Sequence, residues 1–588
     1  ILYHNLRKGN NMNRNTEQHF SSMPKLHLKR SKFDRSHSLK TTWLNGDIVP
    51  IFCDPDIMPG DTVEMKVAEV MRMATPIYPV MDNCFADIMW FFVPHRLVWE
   101  HWQQFWGEND DPWIQNNNYE IPQLEAPSGG WAEGTIADYF GIPTYVDGIS
   151  INALPFRAMA KIYSDWFRDE NLCYSAHYYT DDTTRTGVNT GTTTTDLELG
   201  GLPAKAAKLH GYFTSCTPSA QKGPSVTIPL GTTAPVRTGN NLTYTAKGTL
   251  NNETLETIYP AAWTRVFDDS GVYKTIWDET GDSIRPALNL TTGVKNQSST
   301  GHTTGYLKNT TESGTIAGNE YLIPSNLWAD LTTASAATIN SLRTAFAIQK
   351  YYENATNGTR YIEVIRNVWG VESSDARLQR SEYLGGKRIP INMDTVLQTS
   401  STDSTSPQGN TGAFSCTISN DNMFTKSFEE HGTLIGVIVC RTEKSYQQGI
   451  PRAFSRKKWT DIYNPFFANL GNMAVLEKEI YAQGTSTDDE AFGYQEAWAD
   501  YRYFENRVSG HMRSNSPSGS LDAWHYADYY QSKPTLSASW IQEPVENVDR
   551  TIAVSSQQAN QFIGDFYFKC TYVRPMPIYS IPGLIDHV

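Results

Sequence analysis

The segment FIGDFYFKCTYV, Phe562 to Val573, alternates with a period of two. Phe562, Phe566, Phe568, Cys570 and Tyr572 fall on one face, and Asp565, Lys569 and Thr571 on the other. Successive side chains of a strand point to opposite sides, so this spacing predicts a half-buried strand. Far upstream, Phe85 to Val93 (FADIMWFFV) is almost continuously apolar, as in a strand covered on both faces, and Pro94 ends it by removing a ladder donor. Val63 to Val70 alternates in part, and Thr433 to Cys440 (TLIGVIVC) reads as a further buried strand. Strands at both ends of the chain, with helices and loops between them, predict long-range pairing. A mainly β jelly roll, a β-sandwich with long loop insertions and a few helices, has that property.

Between these strands the sequence changes character several times. Leu97 to Trp106 reads as a short aromatic helix. Pro155 to Glu170 reads as a longer one, with Phe156, Met159, Tyr163, Trp166 and Phe167 in a stripe. That stripe suits either a base-stacking platform or, more simply, the packed side of a helix laid on a sheet. Nine of the twenty-two residues from Thr180 to Gly201 are Thr, which marks a loop. Pro203 to Phe213 is expected to be a short helix. From about Ser225 to Glu320 the chain turns to Thr, Asn, Gly and Ser with isolated aromatics, as in a solvent-displayed insertion poor in strands or built of hairpins. A helix is predicted over Ala334 to Glu353, with Ile339, Leu342 and Phe346 on one side and Ala345, Ile348 and Tyr352 on another.

The whole chain of 588 residues has 39% hydrophobic and only 19% charged residues, with a net charge of −14. It is therefore core-forming rather than disordered. The longest apolar run falls far short of the ~20 residues of a membrane span, and the opening ILYHNLRKGN has no signal-peptide pattern. The seven cysteines are scattered without a CxxC pair, which suits reduced thiols made in a cytoplasm. No P-loop, HExxH, GxSxG or GxGxxG occurs, so nothing nominates a catalytic site, a metal centre or a cofactor. Asp47, Asp54, Asp56 and Asp61 cluster in sequence, but among Pro and Gly they read better as turn residues than as cation ligands.

Charge is unevenly placed. The first forty residues carry nine Lys/Arg and two acidic residues, on a chain with 49 basic and 63 acidic side chains overall. This arm contains Arg7, Lys8, Arg14, Lys25, Lys29, Arg30, Lys32, Arg35 and Lys40. A second basic group is Arg452, Arg456, Lys457 and Lys458, beside Phe454 and Trp459. Cationic side chains interleaved with aromatics suit single-stranded DNA, through phosphate attraction and base stacking. The plainer reading of both is a solvated arm and a patch that meets acidic neighbours.

Phe33 to Met65 (FDRSHSLKTTWLNGDIVPIFCDPDIMPGDTVEM) resembles the amino-terminal signature of the major capsid proteins of gokushoviruses, the microvirus-like single-stranded DNA phages. Gly200 to Pro224, Thr359 to Gly386 and Tyr494 to Arg513 are similar to the same family, so the likeness runs from about Lys29 onward, apart from about Val226 to Glu320. The resemblance implies an eight-stranded viral jelly roll without catalytic residues. It implies sixty copies in a T=1 icosahedral shell around circular single-stranded DNA, assembled in the bacterial cytoplasm, with protrusions at the three-fold axes built from an insertion.

On that reading the chain divides into a basic interior arm (1–40), a first part of the jelly roll with helical insertions (41–224), a surface insertion forming the three-fold protrusion (225–320), and the remainder of the jelly roll (321–588). The insertion, with nearly balanced charge, is the candidate for attachment to a host-surface glycan or protein through Tyr259, Trp263, Tyr273 and Trp277, although any one of these aromatics fits the small internal core of the protrusion better. Each arm has a formal charge of +7, or roughly +420 for sixty copies, against one negative charge per nucleotide in a genome on the order of thousands. A small basic DNA-packaging protein, polyamines or metal cations are therefore expected to make up much of the rest, the first being an expected partner. Two competing classes are a phage carbohydrate-binding or tail-fibre-like adhesion protein, which needs no cationic arm, and a β-sandwich glycosidase, for which no carboxylate pair stands out.

Overall fold

In the computed structural model, residues 29–108, 119–226, 236–238, 263–265, 322–324, 327–329, 339–356, 358, 360–402, 404 and 407–580 are described. The chain forms two compact units, Pro224–Tyr351 and the remainder.

Nine strands build the frame of the larger unit: β1 (Ser31–Asp34), β2 (His37–Trp43), β3 (Val49–Ile57), β4 (Thr62–Met73), β5 (Cys84–Pro94), β6 (Glu382–Pro390), β7 (Thr417–Ser427), β8 (Gly432–Thr442) and β9 (Phe562–Arg574). β9 lies between β4 and an edge shared by β1 and β2, and β7 completes this five-stranded antiparallel sheet on the far side of β4. The other sheet has the order β6-β5-β8-β3. From β2 onward the chain thus crosses between sheets at nearly every step, and its last strand closes beside its first. That is jelly-roll wrapping.

The two sheets enclose one core. Val63, Met65 and Val67 of β4 and Phe566 and Phe568 of β9 meet Ile88, Trp90 and Phe92 of β5 and Leu434 and Ile438 of β8. Phe568 stands edge-on to Trp90, with centroids 6.0 Å apart. Gly564 is the one inward position of β9 without a side chain, and it makes room for Trp43. A Cβ there would lie 2.8 Å from the indole and 2.6 Å from Phe566. As the apolar run predicted, β5 is buried on both sides. Its other face, with Phe91 and Val93, joins Ile435, Val437 and Val439 of β8 under helix α1 (Leu154–Ile162). Phe156 and Met159 of the aromatic stripe sit in this second core, so the stripe is packing material rather than an open platform.

Several sequence expectations are corrected. Pro203 to Phe213 is not helical. Its backbone bridges Asp47 at Lys205 and Gln542 at Ala207, and Lys205 and Lys208 reach Asp47 (2.6 Å) and Asp528 (2.9 Å). Those tertiary partners override a local helical preference. The aromatic helix within Leu97 to Trp106 shrinks to one turn, Trp102–Phe105. The basic arm does not run free to residue 40, because β1 and β2 pair with β9 from Ser31 on. The predicted later helix is α2 (Ile339–Thr356), but Ile339, Phe346 and Ile348 are exposed, while Leu342, Ala345 and Tyr352 are half-buried. In the smaller unit, short antiparallel ladders join Val236–Thr238 to Leu327–Ala329 and Trp263–Arg265 to Leu322–Pro324.

One inward position of β4 is charged. Glu69, 1% exposed, lies between Val67 and Met71. Among the described residues neither carboxyl oxygen meets hydrogen-bond geometry with a partner, and Ser419, opposite in register, engages Asp421 instead. Burial pushes this carboxyl up to about 7, with the Asp421 carboxylate adding to the rise and Lys387 opposing it.

Phe568→Ala is expected to cost about 3–5 kcal/mol in denaturant or thermal unfolding, whereas Tyr567→Ala, on the opposite face of the same strand, costs under about 1 kcal/mol. Comparable losses at both positions would contradict the burial pattern. For Glu69, the folded chain holds a proton that the unfolded chain releases above its ordinary value of 4.5, so stability declines as pH rises from there to about 7 and then levels off. Glu69→Gln removes that titration. Its stability should match the parent near pH 4 and exceed it by roughly 1–3 kcal/mol at pH 8, read from unfolding midpoints across the range.

Candidate nucleic-acid interface

The arm residues divide into those bound inward and those reaching solvent. Arg14 and Lys25 lie outside the described residues. Arg30 folds back to donate to Thr62 Oγ1 (2.6 Å) and to the carbonyls of Gly60 and Val573 (3.2 Å for the latter). Arg35, at the turn between β1 and β2, pairs with the buried carboxylate of Asp54 on β3. Its guanidinium also lies 4.8 Å from the centre of the Tyr572 ring, while Arg574 stands 4.7 Å from the same ring. Tyr572 donates its hydroxyl to Asp54 (2.8 Å), and Arg574 binds Asp61 (3.0 Å). Burial, with Asp54 beside it, drives the Tyr572 hydroxyl far up, so it remains a donor. Two cations and two carboxylates thus clamp one ring where the arm enters the sheet.

This explains the acidic cluster at 47–61. Asp54 and Asp61 hold arginines, Asp47 holds Lys205, and Asp61 also accepts from the Met58 backbone (3.0 Å) in a turn. Lys29, Lys32 and Lys40 remain outward; Lys40 is 3.5 Å from Asp565 on the exposed face of β9.

The second basic group divides in the same way. Arg452 binds Glu479 (3.2 Å) and the Ala474 carbonyl (2.8 Å). Arg456 pairs with Asp500 and lies 4.3 Å from the centre of the Tyr501 ring. Lys457 and Lys458 extend from a turn capped by Asp461, which accepts both their backbone amides. Trp459 is 70% exposed and its ring lies 6.0 Å from that of Phe467, while Phe454 and Phe466 are more exposed still. The group that emerges is Lys457, Lys458 and Trp459, with the arginines as its supports. Of the insertion aromatics, Trp263 begins a short strand, and Tyr259, Tyr273 and Trp277 lie outside the described residues.

Sequence reasoning missed one cationic surface. Lys66 of β4 and Lys569 of β9 are directly opposite on the outward side of the five-stranded sheet, one row from Tyr567. The signal lies in the outward half of the alternating pattern of β9, whose inward half marks the core.

The arm clamp carries a prediction. Asp54→Ala leaves the Arg35 guanidinium, the Arg574 guanidinium 3.7 Å away and a buried hydroxyl without their shared acceptor, and should destabilise the fold by roughly 3 kcal/mol. Hydrogen exchange should speed up first in Ser31–Asp34; unchanged protection there would mean the clamp does not hold the arm.

The comparisons with known proteins agree over almost the full length. A family model described as capsid protein (F protein) matches residues 21–584. Capsid protein VP1 of Spiroplasma virus 4 is 41% identical, over 96% of this chain and 97% of that protein. The proteins of the same name from Bdellovibrio phage phiMH2K and Chlamydia phage 1 are 40% and 37% identical, over 97% and 98% of this chain and 98% and 99% of theirs.

Proposed function

The chain belongs to the phage capsid protein (F protein) family, with gokushovirus capsid proteins among its relatives, and on that premise we propose how it builds and fills a virion. It is a major capsid protein, a structural component of the virion rather than an enzyme. Sixty copies of the jelly roll close into a T=1 shell around a circular single-stranded DNA genome, in the cytoplasm of the bacterial host. The observation that carries this reading is the jelly-roll frame combined with near-complete coverage by capsid relatives.

In this assembly the arm preceding Ser31 points inward and meets the genome with its lysines and arginines, and Lys457, Lys458 and Trp459 add a second contact. The Arg35–Asp54–Tyr572 clamp supports the arm by fixing the strand from which it departs. Because the arms neutralise only a small share of the phosphates, a small basic packaging protein supplies much of the remainder.

The segment at 225–320 stands outward at the three-fold axes and mediates attachment to a host-surface glycan or protein. Its likeness to a separate module is supported by the compact unit Pro224–Tyr351. Its seven Lys/Arg and nine Asp/Glu make it a poor DNA ligand, and exposed Thr/Asn-rich loops on a rigid scaffold suit recognition.

Electron microscopy of particles from expressing cells tests the shell: uniform sixty-subunit particles are expected, and a soluble monomer at high concentration would overturn the reading. Replacing 225–320 with a short Gly/Ser linker should leave shells intact and abolish adsorption to host cells. Normal adsorption would remove the receptor role, and loss of shells would assign the insertion to assembly instead.

A further inference from the structure

We propose that the outward face of the five-stranded sheet is itself a binding surface for single-stranded nucleic acid, with Lys66 and Lys569 taking phosphate and Tyr567 stacking a base. The inference rests on the reading that the shell encloses such a strand. It assigns a wall of the sandwich to that strand, in addition to the arm.

The geometry begins with β9. Residues directly opposite across antiparallel strands point to the same side, so the register places Ser38 of β2, Tyr567 of β9, Ala68 of β4 and Asn420 of β7 in one row across the sheet. Tyr567 is therefore flanked on both sides by small side chains and is 50% exposed. A half-exposed aromatic ring between a hydroxymethyl and a methyl group is an open platform. Base–aromatic stacking is independent of sequence and suits an arbitrary genome.

The next outward position on β9, about 7 Å along the strand, is Lys569, with Lys66 opposite it. Like charges directly opposite destabilise a sheet unless a counter-charge is near. Glu64 lies 3.0 Å from Lys66 and satisfies part of this demand. Lys569, Lys32 and Arg72, also outward, have no carboxylate within 4 Å among the described residues. Outward positions of the five strands carry Lys32, Lys40, Lys66, Arg72 and Lys569 against Asp34, Glu64 and Asp565. That is a cationic surplus on a chain whose net charge is −14.

The outward residues of β7 before its bulge are Ile418, Asn420 and Asn422, which add amides and no charge. Lysines around one exposed ring, with amides beside them, form the composition of a sequence-tolerant single-strand surface. The face is also continuous with the arm, because β1 and β2 supply its edge.

Ultraviolet crosslinking of intact, DNA-filled particles tests the assignment. After nuclease and protease digestion, mass spectrometry should find nucleotide adducts on the peptide containing Tyr567, at several-fold higher yield than on peptides bearing the exposed Tyr145 or Tyr174. Tyr567→Leu should remove that adduct, and Lys66→Gln with Lys569→Gln should lower it while adducts elsewhere persist. If the variants fail to assemble, adducts in unaltered particles decide. Adducts confined to the arm or to Trp459 would overturn the sheet-face assignment and leave the nucleic-acid shell intact. Particles devoid of DNA would overturn the underlying reading. Protection of Tyr567 from surface labelling to the same degree in empty and filled particles would make the face a contact between copies of the chain and overturn the inference.

Discussion

The pairing of β9 with both β2 and β4 is the constraint on which the rest depends. Phe562–Arg574 lies in the middle of its sheet and must find partners more than 480 residues earlier in the chain. Closing so long a loop is entropically costly, although the cost grows only with the logarithm of loop length. What offsets it is concentrated in that strand. Phe562, Phe566, Phe568, Cys570 and Tyr572 are all fully buried, and Phe568 reaches Phe52 and Trp90 in the opposite sheet. Until β9 is in place, β2 and β4 have exposed inner edges and the core lacks a large share of its aromatic surface. The sandwich is therefore a late and non-local product of folding. Everything between β5 and β6, and between β8 and β9, can be long and irregular because the two sheets are joined by the core and not by those connections.

How far the sequence disclosed this depends on whether a signal was local. β4, β5, β8 and β9 were readable because a period of two, or an unbroken apolar run, is an intrinsic property of a strand in a sandwich. The helix at Leu154–Ile162 was readable from its stripe for the same reason. The residues from Pro203 to Phe213 misled because their lysines and alanines favour a helix in isolation, while Asp47, Gln542 and Asp528 hold them extended, and those partners are invisible to a local window. The boundary of the arm was hidden in the same way. Ser31–Trp43 has the composition of a basic tail, and only its register against β9 makes it a sheet edge. At the candidate interface the directions of the side chains were not available, since a list of lysines and arginines does not say which of them meets a buried carboxylate.

Those directions follow from side-chain chemistry. The described arginines of both basic groups, Arg30, Arg35, Arg452 and Arg456, engage fixed oxygen acceptors or lie against aromatic rings. A planar guanidinium is weakly hydrated and presents several donors in a rigid fork, so it tolerates partial burial and rewards fixed acceptors. The lysines beside them, Lys32, Lys40, Lys457 and Lys458, keep their ammonium groups toward water. A compact, strongly hydrated charge on a flexible stem loses more on burial and retains its freedom outside.

This division suits the task of a shell better than the reverse arrangement. A genome presents the inside of its container with phosphates in no fixed register, because every copy of the subunit meets a different stretch of sequence. A rigid, bidentate arginine site favours particular geometries. A mobile ammonium gains nearly the same attraction from any nearby phosphate. In the proposed shell, arginines that brace the scaffold and lysines that face the strand would therefore give both a defined wall and an indifferent one. The buried ion pairs of the sandwich are little screened by salt, whereas contacts of exposed ammonium groups are strongly screened, so in the proposed shell raising ionic strength would loosen the contents before the container.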